Sequence, residues 1–253
     1  MTDKRPPVSI ITVAFNAEAT IGDTIQSVLS QDYPHIEYVI VDGASTDATM
    51  DIVKKHQDKI AKFVSEPDKG IYDGMNKGVA LSSGNIVGIL NSDDFYASDT
   101  VISEMVACFE EEIDAVYADL DYVDPVDTSK IIRRWKSGPY KAGAFKKGWM
   151  PPHPTFFVKK SVYERFGDFT LKLKSAADYE FMLRVIEKHG IQLNYLPKTI
   201  VKMRTGGVSN ASYKNRFRSN REDKMAWEIN GLKPGPLTFV RKPLSKVIQY
   251  IKK

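Results

Sequence analysis

One cysteine, Cys108, occurs in 253 residues, which excludes a disulfide framework and a Cys-x-x-Cys metal clasp. Its setting, "MVACFEEE", reads as a buried helical thiol rather than a nucleophile. No stretch approaches 18 uninterrupted apolar residues, so no segment has the character of a membrane-spanning helix. The N-terminus, "MTDKRPPVSIITV", lacks the cationic start, long apolar run and small-residue cleavage site of a signal peptide. These absences make a reducing, cytoplasmic setting the expectation. Glycine is missing where a dinucleotide-binding fold needs it: the turn after the first strand reads "VAFNAEATIG", not G-x-G-x-x-G. Repeats and low-complexity segments are also absent.

What is present is an ordinary globular composition. With 42% apolar residues the chain can build a full core, and its length suits one large α/β domain with an appendage, or two small domains. The charge is unevenly spread. Residues 214–253 hold 11 Lys/Arg against 3 acids, a balance of +8; the whole chain is +4, so residues 1–213 sum to −4. A basic end on a mildly acidic globule often faces a partner.

"VSIITVAF" (8–15) reads as a strand, with Asn16 at the turn that follows. Ile21, Ile25, Val28 and Leu29 recur at helical spacing. "IEYVIVDG" (36–43) is a strand ending in Asp42, residues 45–56 a helix, "IAKFVSE" (60–66) a strand, and residues 68–84 hold a helix bounded by Gly70 and Gly84. "IVGIL" follows as a core strand. Four strands alternating with three helices predict a mainly parallel sheet with right-handed crossovers. From Asp114 the rhythm changes. Residues 115–123, 130–136 and 155–160 read as strands of a mixed addition, with a long Gly/Lys-rich loop (136–154) between. Residues 161–167 and 176–190 read as helices, and "QLNYLP" and "TIVKMR" as two closing strands.

"ILNSDDFY" carries the strongest chemical signal. A β-branched core strand runs into Asn91, Ser92, Asp93 and Asp94, and adjacent carboxylates are costly to desolvate without a cation between them. Capping of a helix from about Ser98 is the plain alternative. Asp42 and Asp93–Asp94 are expected at the C-terminal strand ends, the edge where open α/β sheets bind ligands. Acids there suit a divalent cation bridging to a diphosphate.

"VSIITVAFN", "VIVDGASTDAT", "SEPDKGIYDGMNKG", "SSGNIVGILNSDDFY", "PPHPTFF" and "SAADYEFMLR", together spanning about residues 8–205, resemble the family 2 nucleotide-sugar glycosyltransferases of GT-A fold. Small single-domain transferases that assemble bacterial surface polysaccharide are nearest in flavour. The resemblance implies a GT-A domain over 1–213, with a nucleotide-sugar half (8–113) and an acceptor half (114–213), and a basic helical extension over 214–253. It implies that Asp42 bonds the nucleotide base and that Asn91-Ser92-Asp93 stands at the Asp-x-Asp position. Asp93 would be the direct ligand of Mg²⁺ or Mn²⁺, with Asp94 beside it, and Asp178 the catalytic base. Four departures accompany it: Asn91 for the first acid, Gly43 for the second acid of "DDGS", Ala177 where Glu often precedes the base, and no His in "MRTGGVS".

The implied reaction is an inverting transfer of sugar to a glycan or lipid-linked hydroxyl, with the metal offsetting charge on the departing diphosphate and Asp178 taking the acceptor proton. Asp178 could instead cap its helix or pair with Lys172 and Lys174. Asn16, Lys69, Asp73, Asn76 and Arg204 are further donor-side candidates. For Lys69 the alternative is a solvated loop lysine, for Asp73 and Asn76 capping and pairing, and for Arg204 a salt bridge. Trp149 and His153 are acceptor-side candidates, with packing and a structural His between prolines as alternatives. A sugar-phosphate nucleotidyltransferase is the competing enzyme class, although its Gly-rich basic signature after the first strand is missing. A polysaccharide- or nucleic-acid-binding module would leave the strand-end acids unexplained. Leu244, Val247, Ile248 and Ile251, with Arg241, Lys242, Lys246, Lys252 and Lys253, form a basic amphipathic pattern. It suits an anionic membrane surface at the inner face of the cytoplasmic membrane, packing on the globule, or pairing of two subunits; nucleic acid is not expected.

Overall fold

The computed structural model describes residues 5–206 and 213–240, with backbone alone for 213–218. Seven consecutive residues, five apolar and two small hydroxyl residues, build β1 (Val8–Ala14), and all seven are buried. Alternation still sorts them. Ile11 and Val13 enter one core, and Val8, Ile10 and Ala14 the core on the opposite face. Each fully buried Ile contributes about 1.5–3 kcal/mol.

Around β1 the chain winds as its periodicity predicts. α1 (Ile21–Leu29), β2 (Ile36–Asp42), α2 (Thr49–Lys54), β3 (Lys62–Ser65), α3 (Ile71–Leu81) and β4 (Ile86–Ile89) follow in turn. β2 and β4 flank β1 and β3 lies beyond β2, all parallel. α3 lies unusually close to β1. A Cβ at Gly74 would stand 2.6 Å from Val13 Cγ1, and one at Gly78 would stand 2.3 Å from Ile11 Cγ2. The glycines at i and i+4 therefore let this helix dock directly on the strand.

The remaining half is mixed, as expected. It comprises β5 (Asp94–Tyr96), α4 (Val101–Ala107), β6 (Ala115–Val123), β7 (Ile131–Trp135), β8 (Phe157–Lys159), α5 (Lys160–Phe166), α6 (Ala177–Met182), β9 (Leu193–Arg204) and α7 (Tyr213–Ile229). The sheet runs β3-β2-β1-β4-β8-β6-β9-β5, with β7 on β6. β8 is antiparallel to both β4 and β6, β9 is parallel to β6, and β5 and β7 pair antiparallel with β9 and β6.

Several expectations need correction. Asp93 and Asp94 do not end β4. The chain turns at Asn91–Asp93, and Asp94 opens β5, where it pairs with Met203. The helix expected over 45–56 starts only at Thr49, because Ser45, Thr46 and Asp47 are engaged in side-chain bonds that compete with helix. The helix after Ser98 starts at Val101. The helix over 176–190 is α6 followed by a π-helical turn, Leu183–Lys188. The two closing strands are one. β9 skips Pro197 and Lys198, with Ala118 facing Leu196 and Asp119 facing Thr199, so the residue with no N–H to donate leaves the ladder without ending the strand.

The boundary expected at 213/214 is not where packing stops. Trp227 of α7 is 1% exposed and its indole N–H donates to the Tyr179 hydroxyl at 2.9 Å. Glu222 accepts bonds from the Lys174 and Ser175 amides at 3.0 and 2.7 Å. The amphipathic run 244–251 and its basic neighbours lie outside the described residues. No helix among those described is long and apolar enough to cross a membrane.

Candidate active site

The carboxyl edge of β1, β2 and β4 gathers the donor-side candidates. Asn16 follows β1 in the left-handed region, φ 48°, a conformation Asn tolerates better than most residues. Its amide donates to Ser45 Oγ at 2.8 Å and its side-chain oxygen accepts the Thr46 amide at 2.9 Å. Asn16 thus laces two loops together. Asp42 ends β2 and is completely buried. It accepts from the Ser45 amide at 2.9 Å, from the Ser45 hydroxyl, and from the Ser65 hydroxyl at 2.6 Å. Its carboxylate is committed to the loops, not turned outward.

Asp73 and Asn76, on α3, follow the plain alternatives. Asp73 accepts the Lys69 amide at 3.0 Å and lies 3.8 Å from Lys77 Nζ. Asn76 exchanges two 2.9 Å bonds with the backbone of Phe169. Each thus makes the capping and pairing contacts that were the alternative to its donor-side assignment. Lys69 is exposed.

The Asn91–Asp94 turn is held from three sides. The Thr24 hydroxyl bridges the carbonyls of Ser92 (3.0 Å) and Asp94 (2.7 Å). Arg204 donates to the Asp93 carbonyl at 2.9 Å, pairs with Asp23, and lies over the Phe95 ring at 4.8 Å. Arg204 is 8% exposed, so it is a strut beneath the turn rather than an open diphosphate clamp. Asn91 Nδ2 donates to Asp94 Oδ2 at 3.2 Å. That leaves Asn91 Oδ1 and Asp94 Oδ1 buried with no hydrogen-bond donor. Burial pushes the Asp93 carboxyl up, and burial followed by the Asp93 charge pushes Asp94 well up. Asp94 is fully buried and Asp93 only partly so. The reachable carboxylate is therefore Asp93, and Asp94 backs it from within.

These oxygens fit a magnesium or manganese ion. Hard cations take oxygen ligands, and here two buried oxygens lack any donor beside a partly open carboxylate. Among the described residues no group of three or more His, Cys, Asp or Glu converges. The remaining positions would fall to phosphate and water, the usual pattern for Mg²⁺.

On the acceptor side, Asp178 is the second residue of α6 and accepts the Tyr72 hydroxyl at 2.9 Å. Its half-buried position excludes a surface salt bridge as its sole role, and no Lys172 or Lys174 pair forms among the described residues. Burial and the Asp178 charge push the Tyr72 phenol well up, so it stays a donor. His153 is buried. Burial lowers its pKa against the opposing pull of Asp178, which keeps the imidazole neutral at pH 7. Its ring meets Phe169 edge-on at 5.6 Å, and Tyr72 stacks on Phe169 at 5.9 Å. Asp178, Tyr72 and His153 thus form one pocket. Trp149 does not join it. Its N–H donates to the Ser137 carbonyl at 2.8 Å, and its ring packs on Tyr117, Tyr140 and Phe145. Packing is its role.

Sequence reasoning missed Thr24, Tyr72, Phe15 and Asp68. Tyr72 and Asp68 lie inside "SEPDKGIYDGMNKG", where the more familiar acid and amide types drew attention. Phe15 ends an apolar strand pattern and reads as core, yet it is 63% exposed.

A parallel half and a mixed half joined in one sheet, flanked by helices, define a GT-A-like α/β fold. Residues 9–166 match the family model "Glycosyl transferase family 2"; the chain belongs to this family and is a glycosyltransferase. It is 28% identical over 217 residues to the PGL/p-HBAD biosynthesis glycosyltransferase of Mycobacterium bovis, covering 84% of this chain and 82% of that one. The fold matches Staphylococcus aureus TarS solved with UDP (TM-score 0.65, 20% identity, 90% of this chain and 67% of that chain). It also matches the mannosyltransferase PcManGT of Pyrobaculum calidifontis solved with GDP-Man and Mn²⁺ (TM-score 0.67, 21% identity, 98% and 70%). Family membership sets aside the nucleotidyltransferase and binding-module alternatives.

Proposed function

We propose that this glycosyltransferase moves a sugar from a nucleoside diphosphate sugar to a hydroxyl of a glycan or lipid-linked acceptor, with inversion and with a divalent metal, in the assembly of a glycolipid or surface polysaccharide. The observation that carries this reading is the pairing of two differently supplied carboxylate sites in one fold. Asp93 stands beside buried oxygens that lack donors, and Asp178 is oriented by a phenol. The mycobacterial relative is named for PGL/p-HBAD biosynthesis, and the two solved structures hold UDP and GDP-Man, which supports a nucleotide-sugar donor and a biosynthetic role.

Asp93, with Asn91 and Asp94 behind it, would hold Mg²⁺ or Mn²⁺, which as a Lewis acid offsets charge on the leaving diphosphate. Thr24 and Arg204 keep the turn rigid. Asp178 accepts the acceptor hydroxyl proton as that oxygen bonds the anomeric carbon and the carbon–diphosphate bond breaks. One base and one in-line displacement invert the centre. Tyr72 aims the carboxylate, and neutral His153 adds no competing charge.

The test is to incubate the full chain with nucleotide sugars and Mn²⁺ or Mg²⁺ and follow nucleoside diphosphate release. Metal-dependent release that EDTA abolishes is the expected result. Equal release in EDTA would remove the metal from the mechanism, and absence of release with every donor would remove the nucleotide-sugar reading.

A further inference from the structure

A second concave site lies toward the opposite edge of the sheet from the candidate carboxylates. A cavity of about 580 Å³ opens beside the first residues of β6 and β9, between the turn that enters β9 and the Gly/Lys-rich loop. Tyr117 and Tyr195 pair across the two strands, and their rings stack at 5.2 Å. Further along β6, Val123 pairs with Arg204, whose guanidinium holds the Asp93 carbonyl. At a rise of about 3.3 Å per residue, the cavity is about 20 Å from the Asn91–Asp94 turn.

The lining has a definite chemistry. Tyr117 is fully buried and covers one face of the half-buried Tyr195. β5 pairs with β9 only over Val201, Lys202 and Met203, so among the described residues no strand lies on the outer side of Tyr195. The result is a flat phenol platform at a sheet edge. Glu187 stands on the π-helical turn, a form of helix that recurs at functional sites. It accepts the Tyr140 hydroxyl at 3.3 Å, a long bond that leaves most of its lone pairs open. Gln192 adds an exposed carboxamide. No Lys, Arg or His lines the cavity, so it offers nothing to a phosphate, whether of a nucleotide or of a lipid headgroup.

We propose that this cavity is a second glycan-binding site, which holds a neutral pyranose of the acceptor at a distance from the reacting hydroxyl. It goes beyond the transfer reading and rests on it only for the saccharide nature of the acceptor. The axial C–H hydrogens of a pyranose carry slight positive charge and suit the negative face of the Tyr195 ring. Its hydroxyls donate to Glu187 and bond with Gln192. An apolar tail in the same place would desolvate Glu187 and give it no donor.

Trp149 can report on the site, because its ring packs on Tyr117 and Tyr140 at 5.6 and 5.3 Å. The test is an NMR titration of the full chain with maltotriose, mannotriose and chitotriose, following the assigned indole N–H signals of Trp135, Trp149 and Trp227. At least one sugar moves the Trp149 signal saturably and leaves the other two in place. Trigalacturonic acid, whose charge Glu187 repels, binds at least about tenfold more weakly. Glu187→Gln weakens the neutral sugar about tenfold, as loss of a charge-assisted hydrogen bond predicts, and leaves nucleoside diphosphate release unchanged. If that variant does not fold, the contrast between neutral and acidic trisaccharides on the unaltered protein decides alone. A Trp149 signal that no sugar moves overturns the proposal, as does an equal response to tetramethylammonium, which would make the cavity a cation site. Sugar affinity unchanged in Glu187→Gln overturns it too. Nucleoside diphosphate release, measured on the same protein, stands or falls separately.

Discussion

Asp94 and Asp178 are both carboxylates of the candidate site, and they differ in what surrounds them. Asp94 is fully buried, with one oxygen lacking any donor and a second acid beside it. Asp178 is half-buried, and a phenol 2.9 Å away supplies its hydrogen bond. The first arrangement is complete only when positive charge arrives from outside. The second is complete within the protein and needs only a proton to accept. On the mechanism proposed above, charge neutralisation and proton transfer would be divided between a turn short of donors and a pocket that has its own.

The largest effect is expected at the self-sufficient pocket. Asp178→Asn keeps the shape and removes the basicity, so kcat falls about 10²–10⁴-fold while calorimetry finds nucleoside diphosphate affinity unchanged; equal losses in both would make Asp178 structural. Tyr72→Phe removes only the aiming hydroxyl. A hydrogen bond to a charged group contributes about 1.5–3 kcal/mol, so kcat falls about 10- to 100-fold with donor affinity retained. Full activity in this variant would erase the asymmetry between the two sites. Gly78→Ala asks whether the pocket depends on the close docking of α3. The added methyl meets Ile11 at 2.3 Å, and overpacking of this kind costs about 1–3 kcal/mol. Thermal unfolding should drop by about 2–4 °C for each kcal/mol.

The smallest effect sharpens the other side. Asp94 has a folded pKa raised above its unfolded value, so the folded state holds more protons than the unfolded one between the two pKa values. Stability of the metal-free protein therefore declines as pH rises above the ordinary carboxyl range. Asp94→Asn flattens that slope, and Mn²⁺ reduces it in the unaltered chain. Melting curves across pH with and without Mn²⁺ read this directly. An identical slope in Asp94→Asn would mean that the turn carries no charge stress.

The parallel half was legible because its elements announce themselves locally. β1 is a continuous apolar run, and α3 ends between glycines. The paired acids drew attention in the sequence, but their place did not: they sit in the turn after β4 and at the start of β5 rather than at a strand end. What was hidden depends on neighbours distant in sequence. Asn76 reads as a group that could contact a nucleotide or pair, and its 2.9 Å bonds to the backbone of Phe169, 93 residues away, show the pairing. For Arg204 the sequence left a diphosphate contact and a salt bridge equally open, and only Asp23, 181 residues earlier, supplies the pairing. Pro197 reads as a strand terminator, yet strong pairing on either side carries β9 past it. Trp227 sits in a basic segment whose composition conceals that one face is core.

The glycine-seated helix has a consequence for how this enzyme can diversify. Asp68, just ahead of α3, touches the donor edge, and Tyr72, in its first turn, holds the acceptor-side carboxylate. Both contacts therefore hang four residues apart at the start of one closely seated helix. Any insertion between Asp68 and Tyr72 would move both contacts at once.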